Sequence, residues 1–510
     1  MGALPDWCEP LYEAAEMQAL DRWAIEDRGV ASLELMERAG EGVARAVQRL
    51  APDGPVAIVC GKGNNGGDGL VVARLLRRES RAVSVVALGE ADELSADARV
   101  NLQRLTGEPP LRWTEPAART AIEGASVVVD ALLGTGFQGA PRDPVADAIA
   151  AIDACPARVL SVDVPSGVDA STGVVAGDAV RADLTVTFHA AKVGLWVSPG
   201  KRHAGEVATI DIGIPRGAPG LYPGTGLIDP TVLDELPRRL AGSTKFSSGH
   251  VVVVGGSAGL MGAPAMASLA AMRAGAGYVT ACVPESQSHI LDAQLMETMT
   301  RGLPDARGAL SGEALEPALN ALERAGSLAL GPGFGRDPES DALARELARR
   351  SPVPTVVDAD GLNAHSGRLS ELAAREAATV LTPHAGELGR LLQVGSEEIE
   401  RERLAHARQA AEHSGAIVVL KGDDTLVAAP DGRVAVSRGA SPALATAGTG
   451  DVLTGTIAAL LAQRLDPFTA AAAGVQLHAE AGREAARSQG APEGVIATDV
   501  IAALPRARRA

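Results

Sequence analysis

Short apolar runs alternate with stretches of helical period along almost the whole chain, and this alternation decides the class of fold. In the first half the runs are Val56–Val59, Val83–Leu88, Val127–Val129, Leu160–Val162 and Leu184–Phe188. A second series follows at Val251–Val254, Tyr278–Val283, Leu328–Leu330, Thr355–Val357, Thr379–Leu381 and Ile417–Leu420. Strands separated by helices imply mostly parallel sheets clad by helices, an α/β architecture. Residues 17–50 read as a helix, with Leu35, Ala39, Val43, Val47 and Leu50 on one face. At 510 residues the chain is too long for one ordinary core. The segment IPRGAPGLYPGTGLIDP (214–230), with four prolines and four glycines, is the best place to divide it. The expected domains are 1–218 and 230–510, joined by a linker at 219–229.

Composition excludes several classes of function. A formal net charge of -16 argues against a nucleic-acid partner, because phosphate backbones are bound by clustered Lys and Arg. Aromatics at 2% leave few platforms for stacked bases. Cys8, Cys60, Cys155 and Cys282 are far apart and read as reduced thiols without a zinc site. The first residues, MGALPDWCEPLYEAAEM, lack the basic segment and apolar core of a signal peptide. No apolar run approaches the ~20 residues that span a bilayer. A cytoplasmic protein without a membrane partner is expected.

Ligands of open parallel sheets bind beyond the carboxyl ends of the strands. Three unusual loops of the first half occupy that position. CGKGNNGGDGL (60–70) carries G-x-G-x-x-G spacing, which alone is equally compatible with a simple tight turn. VVVDALLGTGFQGAPRDP puts Asp130 directly after its strand, and LSVDVPSGVDASTG does the same with Asp163 and Ser166. Either aspartate could also be a cap or turn former. Together the loops bring few carboxylates and several neutral oxygens, a set suited to a large monovalent cation rather than zinc.

GNNGGDGLVVARLL, DALLGTG, VDVPSGVDASTG and the preceding MQALDRWAIEDRGVASLELMERAG together resemble the NAD(P)H-hydrate epimerases over residues 10–215. The resemblance implies a Rossmann-like three-layer sandwich. It implies that Asn64, Asn65, Gly66, Gly67 and Asp68 hold the damaged nicotinamide nucleotide, with Gly134, Thr135, Gly136, Phe137, Gln138, Gly139 and Ala140. It also implies potassium at Asn65, Asp130 and Ser166, and a catalytic Asp163 against the hydrated ring. Lys192, in HAAKVG, is a further candidate that could equally cap a helix.

In the second half, ATAGTGDVLTGTIAALLAQ joins a glycine turn to a strong helix. The amides of Gly448 to Gly450, backed by the helix dipole, would form an anion hole. A carboxylate beside phosphates repels them, so Asp451 makes more sense as a general base than as a binding group; an N-cap is the alternative. LKGDDTLVA puts Lys421 near any phosphate, and TPHAGEL presents His384. No G-x-x-x-x-G-K-[ST] occurs, so this is not a P-loop.

GHVVVVGGSAGLMGAPAMASLAAMRAGAGYVT, GPGFG, VDADGLN, LTPHAGE, LKGDDT and AGTGDVL, in that order, look like the ADP-dependent NAD(P)H-hydrate dehydratases. Coverage is about residues 230–505, and the resemblance implies a ribokinase-like domain. It implies that Lys421, Gly422, Asp423, Asp424, Thr425 and Gly450 contact ADP, accompanied by Mg2+. It further implies that Ala263, Gly333, His384 and the catalytic Asp451 contact the hydrate. One departure is Ser441, Pro442, Ala443, Leu444, where the family has an Asn-Pro-Gly-Met-like run.

The expected activity is therefore repair of hydrated NADH and NADPH by a homo-oligomer, with hydrates and ADP as its small-molecule partners. The first domain would interconvert R and S epimers, and the second would dehydrate the S form. The alternative is a ribokinase-like kinase fused to a non-catalytic binding module.

Overall fold

The computed structural model describes residues 2–215 and 217–508. It forms two compact units. Pro10–Thr225 is one, and the other gathers Gly226 onward together with the N-terminal residues through Glu9. The chain thus begins in the second unit: β1 (Cys8–Leu11) lies at the edge of that unit's sheet.

The first unit contains β2 (Val56–Cys60), β3 (Val83–Ala87), β4 (Leu111–Arg112), β5 (Val127–Ala131), β6 (Arg158–Val162), β7 (Leu184–Phe188) and β8 (Glu206–Ile210). Their order across the sheet is β4-β3-β2-β5-β6-β7-β8, and the pairings are parallel. Alternate residues serve opposite faces. Ile58, Val129 and Leu160 pack with Val43, Val47, Val72 and Leu76, from the helices Ser32–Leu50 and Asn64–Arg78. Ala57, Val59 and Val128 pack with Ile122, Ile149 and Ile152, from Pro116–Glu123 and Val145–Ala154. Each such side chain stabilises the fold by roughly 1.5–3 kcal/mol on full burial. The strand order reverses between β2 and β5, and the crevice beyond that pair is where ligands of such sheets bind.

The second unit is built the same way around β10 (His250–Val254). Its other strands are β9 (Thr225–Ile228), β11 (Tyr278–Pro284), β12 (Met299–Leu303), β15 (Ser327–Leu330), β16 (Thr355–Val357), β17 (Thr379–Leu381), β18 (Ile417–Leu420), β19 (Leu426–Ala428) and β20 (Val434–Val436). A separate hairpin is made by β13 (Asp305–Ala306) and β14 (Ala309–Leu310). The sheet runs β1-β9-β20-β19-β18-β17-β16-β15-β10-β11-β12. It is parallel from β12 to β18 and antiparallel from β18 to β20. Its order reverses between β10 and β15.

The α/β class expected from the alternation is the one observed. Several local expectations differ. The helix expected over 17–50 is interrupted: Ala14–Arg22 runs into a π turn at Trp23–Asp27, and a new helix starts at Ser32. Gly29, at φ +69°, breaks the run. Asp130 sits inside β5 rather than after it. The segment 219–229 contains the whole of β9, every residue of it buried. A Cβ at Gly226 would lie 2.7 Å from the Cys8 sulfur and the Glu9 carbonyl oxygen, so that glycine serves close strand packing.

Candidate functional site

In the first unit, two glycines of the opening loop allow backbone to lie against backbone. A Cβ on Gly61 would sit 2.0 Å from the Leu132 carbonyl oxygen, and one on Gly66 2.0 Å from that of Gly61. Gly63 is the N-cap of the helix Asn64–Arg78. Asn64 to Asp68, expected as loop, are therefore the first turns of a helix, and its positive end faces the crevice. Contact between the ends of β2 and β5 makes the turn this tight.

A cavity of about 780 Å³ opens there, lined by Asn64, Asn65, Asp68, Gly134 to Phe137, Asp163 and Lys192. Gly66, Gly67, Gln138, Gly139 and Ala140 lie outside its wall. Gly67 instead packs against Met36 and Ala98.

Three of the expected ligands converge at one rim. Asp130, fully buried, accepts hydrogen bonds from Ser161 Oγ (2.8 Å), Ser166 N (2.9 Å), Ser166 Oγ (2.6 Å) and Leu132 N (3.2 Å). Asn65 Nδ2 donates to the Leu133 carbonyl at 2.9 Å, leaving its Oδ1 free of that bond, and Leu133 N donates to Ser166 Oγ at 2.9 Å. The result is one carboxylate among neutral oxygens.

Asp163 follows β6 in the left-handed region, at φ +67°. Lys192, 1% exposed, sends its Nζ to Asp163 Oδ1 at 2.9 Å and donates to Thr187 Oγ1 and the Phe188 carbonyl, both at 2.8 Å. Lys192 makes no cap through its side chain. It is the counter-ion of Asp163. Burial alone would raise the Asp163 carboxyl, but Lys192 and the Thr135 donors hold it below the usual range. Asp68 differs: burial, with Asp163, Asp21 and Asp97 nearby, pushes it well above that range. Asp21, which also lines the cavity, lies in the MQALDRWAIEDRGVASLELMERAG stretch but was not singled out there.

In the second unit the loops after β10 and β15 meet at the strand reversal. A Cβ on Gly255 would lie 2.2 Å from the Pro332 carbonyl oxygen, and one on Gly333 (φ +64°) would lie 3.2 Å from the Ala263 Cβ. Ala263 and Gly333 are thus brought together. The helix Thr449–Ala462 begins after Gly448 (φ +88°), which is its N-cap. Asp451 is the third helical residue rather than the cap, and it accepts no hydrogen bond among the described residues. Burial, aided by Asp358, Asp360 and Glu387 against Lys421, pushes its carboxyl up to about 7.

Lys421 reaches the same point. A Cβ on Gly450 would be 3.6 Å from its Nζ, which pairs with Asp358 at 3.1 Å and Glu387 at 3.7 Å. Burial alone would lower the Lys421 ammonium, but these carboxylates hold it above its ordinary value. Thr454 donates to the other Asp358 oxygen at 2.7 Å. His384 N-caps the helix Ala385–Leu392, its Nδ1 accepting from the amides of Gly386 and Glu387, while its Nε2 lies 3.6 Å from the Glu387 carboxylate. Beneath the turn, burial holds buried His478 down at about 4.

Two residues of the KGDDT loop face inward. Asp424, 2% exposed, is paired with buried Arg403 at 3.1 Å, and Arg403 also donates to the Lys421 carbonyl. Thr425 Oγ1 donates to the Gly422 carbonyl at 2.7 Å. Asp423 accepts from the Ala440 amide at 3.2 Å, tying the loop to the turn that precedes Ser441–Leu444. Sequence reasoning missed Asp358, Glu387, Thr454 and Arg403. Asp358, Glu387 and Thr454 lie in motifs that had drawn attention, and Arg403 does not.

The fold and these groups define an α/β enzyme with two sites, each at a strand reversal and beside a glycine-capped helix. The family model described as YjeF-related protein N-terminus matches residues 32–194, and that described as NAD(P)H-hydrate dehydratase matches residues 251–506. The bifunctional NAD(P)H-hydrate repair enzyme of Moorella thermoacetica is 43% identical, covering 97% of this chain and 96% of the relative. That of Salinibacter ruber is 42% identical, covering 98% and 96%. Among solved structures, the ADP/ATP-dependent NAD(P)H-hydrate dehydratase of Bacillus subtilis is 28% identical, with a TM-score of 0.48 over 55% of this chain and 95% of that one. The chain belongs to the bifunctional NAD(P)H-hydrate repair enzymes.

Proposed function

We propose that this protein repairs NADH and NADPH hydrated at ring carbon 6, the first unit interconverting the R and S hydrates and the second dehydrating the S form with ADP. Asp451 carries the reading: a half-buried carboxylate that accepts no hydrogen bond among the described residues, beside Lys421 at a glycine-capped helix end.

In the first unit, the hydrated nucleotide would occupy the cavity, its phosphates near the helix end at Asn64. Inversion at carbon 6 breaks the C–O bond and returns water to the other face. Asp68, held as a neutral acid, would protonate the departing hydroxyl, and ionised Asp163 would accept the proton of the returning water. Lys192 positions Asp163. Asn65, Asp130, Ser166 and the Leu133 carbonyl fit potassium, as hard oxygens with a single formal charge. Potassium would supply a fixed positive charge beside the nucleotide.

In the second unit, Asp451 would take the proton from the S-hydrate hydroxyl as that oxygen attacks the terminal phosphate of ADP, releasing AMP. Lys421 and the amides at Gly450 would stabilise the transferring group. Loss of inorganic phosphate and a ring proton then restores NAD(P)H. No group of three or more His, Cys, Asp or Glu that could hold a metal occurs among the described residues, so Mg2+ would arrive bound to the nucleotide.

The test is to mix chemically hydrated NADH with the protein and ADP and follow reduced-nicotinamide absorbance. Recovery of the whole R and S pool, with one AMP and one phosphate per NADH, is expected. Accumulation of a stable phosphorylated product would instead identify a kinase.

A further inference from the structure

The second unit holds another cavity, of about 860 Å³, far from the glycine turn. Gln463, in its wall, caps the carboxyl end of the helix whose amino end is the Gly448–Asp451 turn. That helix has 14 residues, so the two places are about 20 Å apart at 1.5 Å per residue.

Four guanidinium groups line this cavity, those of Arg238, Arg239, Arg273 and Arg508, with one carboxylate, Asp234. None of the four arginines is paired with an acid among the described residues. This occurs in a chain of net charge -16, where unpaired cations should be scarce. Two Leu-Pro-Arg segments, at 236–238 and 504–506, converge to build it.

Two of the arginines have a structural duty. Arg239 donates to the carbonyls of Gly275 (3.0 Å) and Ala276 (2.9 Å). Arg508 donates to those of Ala274 (2.8 Å) and Pro237. They satisfy the carboxyl end of the helix Gly262–Arg273, where cations are favoured. Arg238 and Arg273 make no such bonds among the described residues. Burial, and then the charges of Arg239 and Arg238, push the Arg508 guanidinium below its ordinary value. The cluster is therefore repulsive as it stands, and an anion would relieve it.

We propose that this cavity binds the polyphosphate group of a small organic phosphate, at a site separate from the one at Gly448–Asp451. Guanidinium forks match phosphate oxygens in pairs. The volume is that of an ordinary small-molecule pocket, and Leu233, Leu236 and Pro505 offer an apolar wall to the rest of the ligand.

Calorimetry of the full chain with inorganic tripolyphosphate tests this. One binding event per chain should survive Lys421→Gln, which disables the phosphate side of the other site. The same event should weaken at least tenfold in Arg238→Gln/Arg273→Gln, whose residues hold no backbone carbonyl. Should the double variant fold poorly, Arg238→Gln alone, at an exposed position, should weaken it about threefold. Binding that disappears in Lys421→Gln, or that is unchanged in the arginine variants, overturns the proposal.

Discussion

The two sites share a plan and differ in how they hold charge. Each lies where the strand order of a parallel sheet reverses, beside a helix that starts after a glycine. In the first, Asp163 is ionised and saturated: Lys192 and the Thr135 donors occupy its oxygens. In the second, Asp451 is left unsatisfied, surrounded by Asp358, Asp360 and Glu387, with its carboxyl raised to about 7. A saturated carboxylate is held ionised in one orientation, able to accept a proton but not to supply one. An unsatisfied one near neutrality is ready to exchange a proton at working pH. The lysines show the same contrast, since Lys192 is sealed against one acid while Lys421 stands between two and borders Gly450.

Asp451→Asn removes the unsatisfied charge with little change of shape. Dehydration should fall about 100- to 10,000-fold, the usual contribution of a positioned base. ADP affinity by calorimetry should stay level or tighten, and epimerisation should be untouched.

Lys192→Met strips the saturated carboxylate of its partner. Breaking a buried pair from one side costs about 3–5 kcal/mol, so the first unit should melt markedly earlier by circular dichroism. The double variant Lys192→Met/Asp163→Asn should regain part of that loss. Equal melting of both would dissolve the contrast.

The pH profile sharpens it. Dehydration kcat/KM should rise with pH through about 7, because Asp451 acts only when ionised. Asp358→Asn removes the largest charge that raises it and should move the rise to lower pH. Stability runs the other way. The raised carboxyl stabilises the fold below its unfolded value, and that contribution is lost as pH climbs toward 7. Asp451→Asn should therefore gain in Tm on wild type between pH 5 and 8.

A smaller effect concerns the chain's start. Trp7 is buried and stacks on Phe468 with ring centroids 5.8 Å apart. A protein beginning at Gly226 loses both β1 and this ring. It should melt below the second unit of the full chain, and added peptide 1–12 should restore part of the difference.

Much of this was legible in the sequence because parallel sheets announce themselves as apolar runs. Loops that begin at strand ends can then be located without coordinates. Asp130, Asp163 and Lys421 emerged that way, and Asp451 emerged from a glycine turn leading into a helix. What stayed hidden depends on distance along the chain. Asp358 and Lys421 are far apart in sequence yet 3.1 Å apart in space, and nothing local marks Arg403 as the clamp of the KGDDT loop. Boundaries failed where composition misled. Thr225–Ile228 sits in a Pro/Gly-rich stretch and is still a buried strand, because a partner strand from the other end of the chain covers it.

The central claim is that one chain carries two independent chemistries, and a single time course tests it. A mixed R and S pool of hydrated NADH is incubated with ADP and each protein in turn, and absorbance recovery is recorded alongside epimer composition. Wild type should recover the whole pool. Asp163→Asn should rapidly recover the S portion and then slow to the spontaneous rate. Asp451→Asn should recover almost nothing while still exchanging R and S. Full, rapid recovery by either variant would contradict the account.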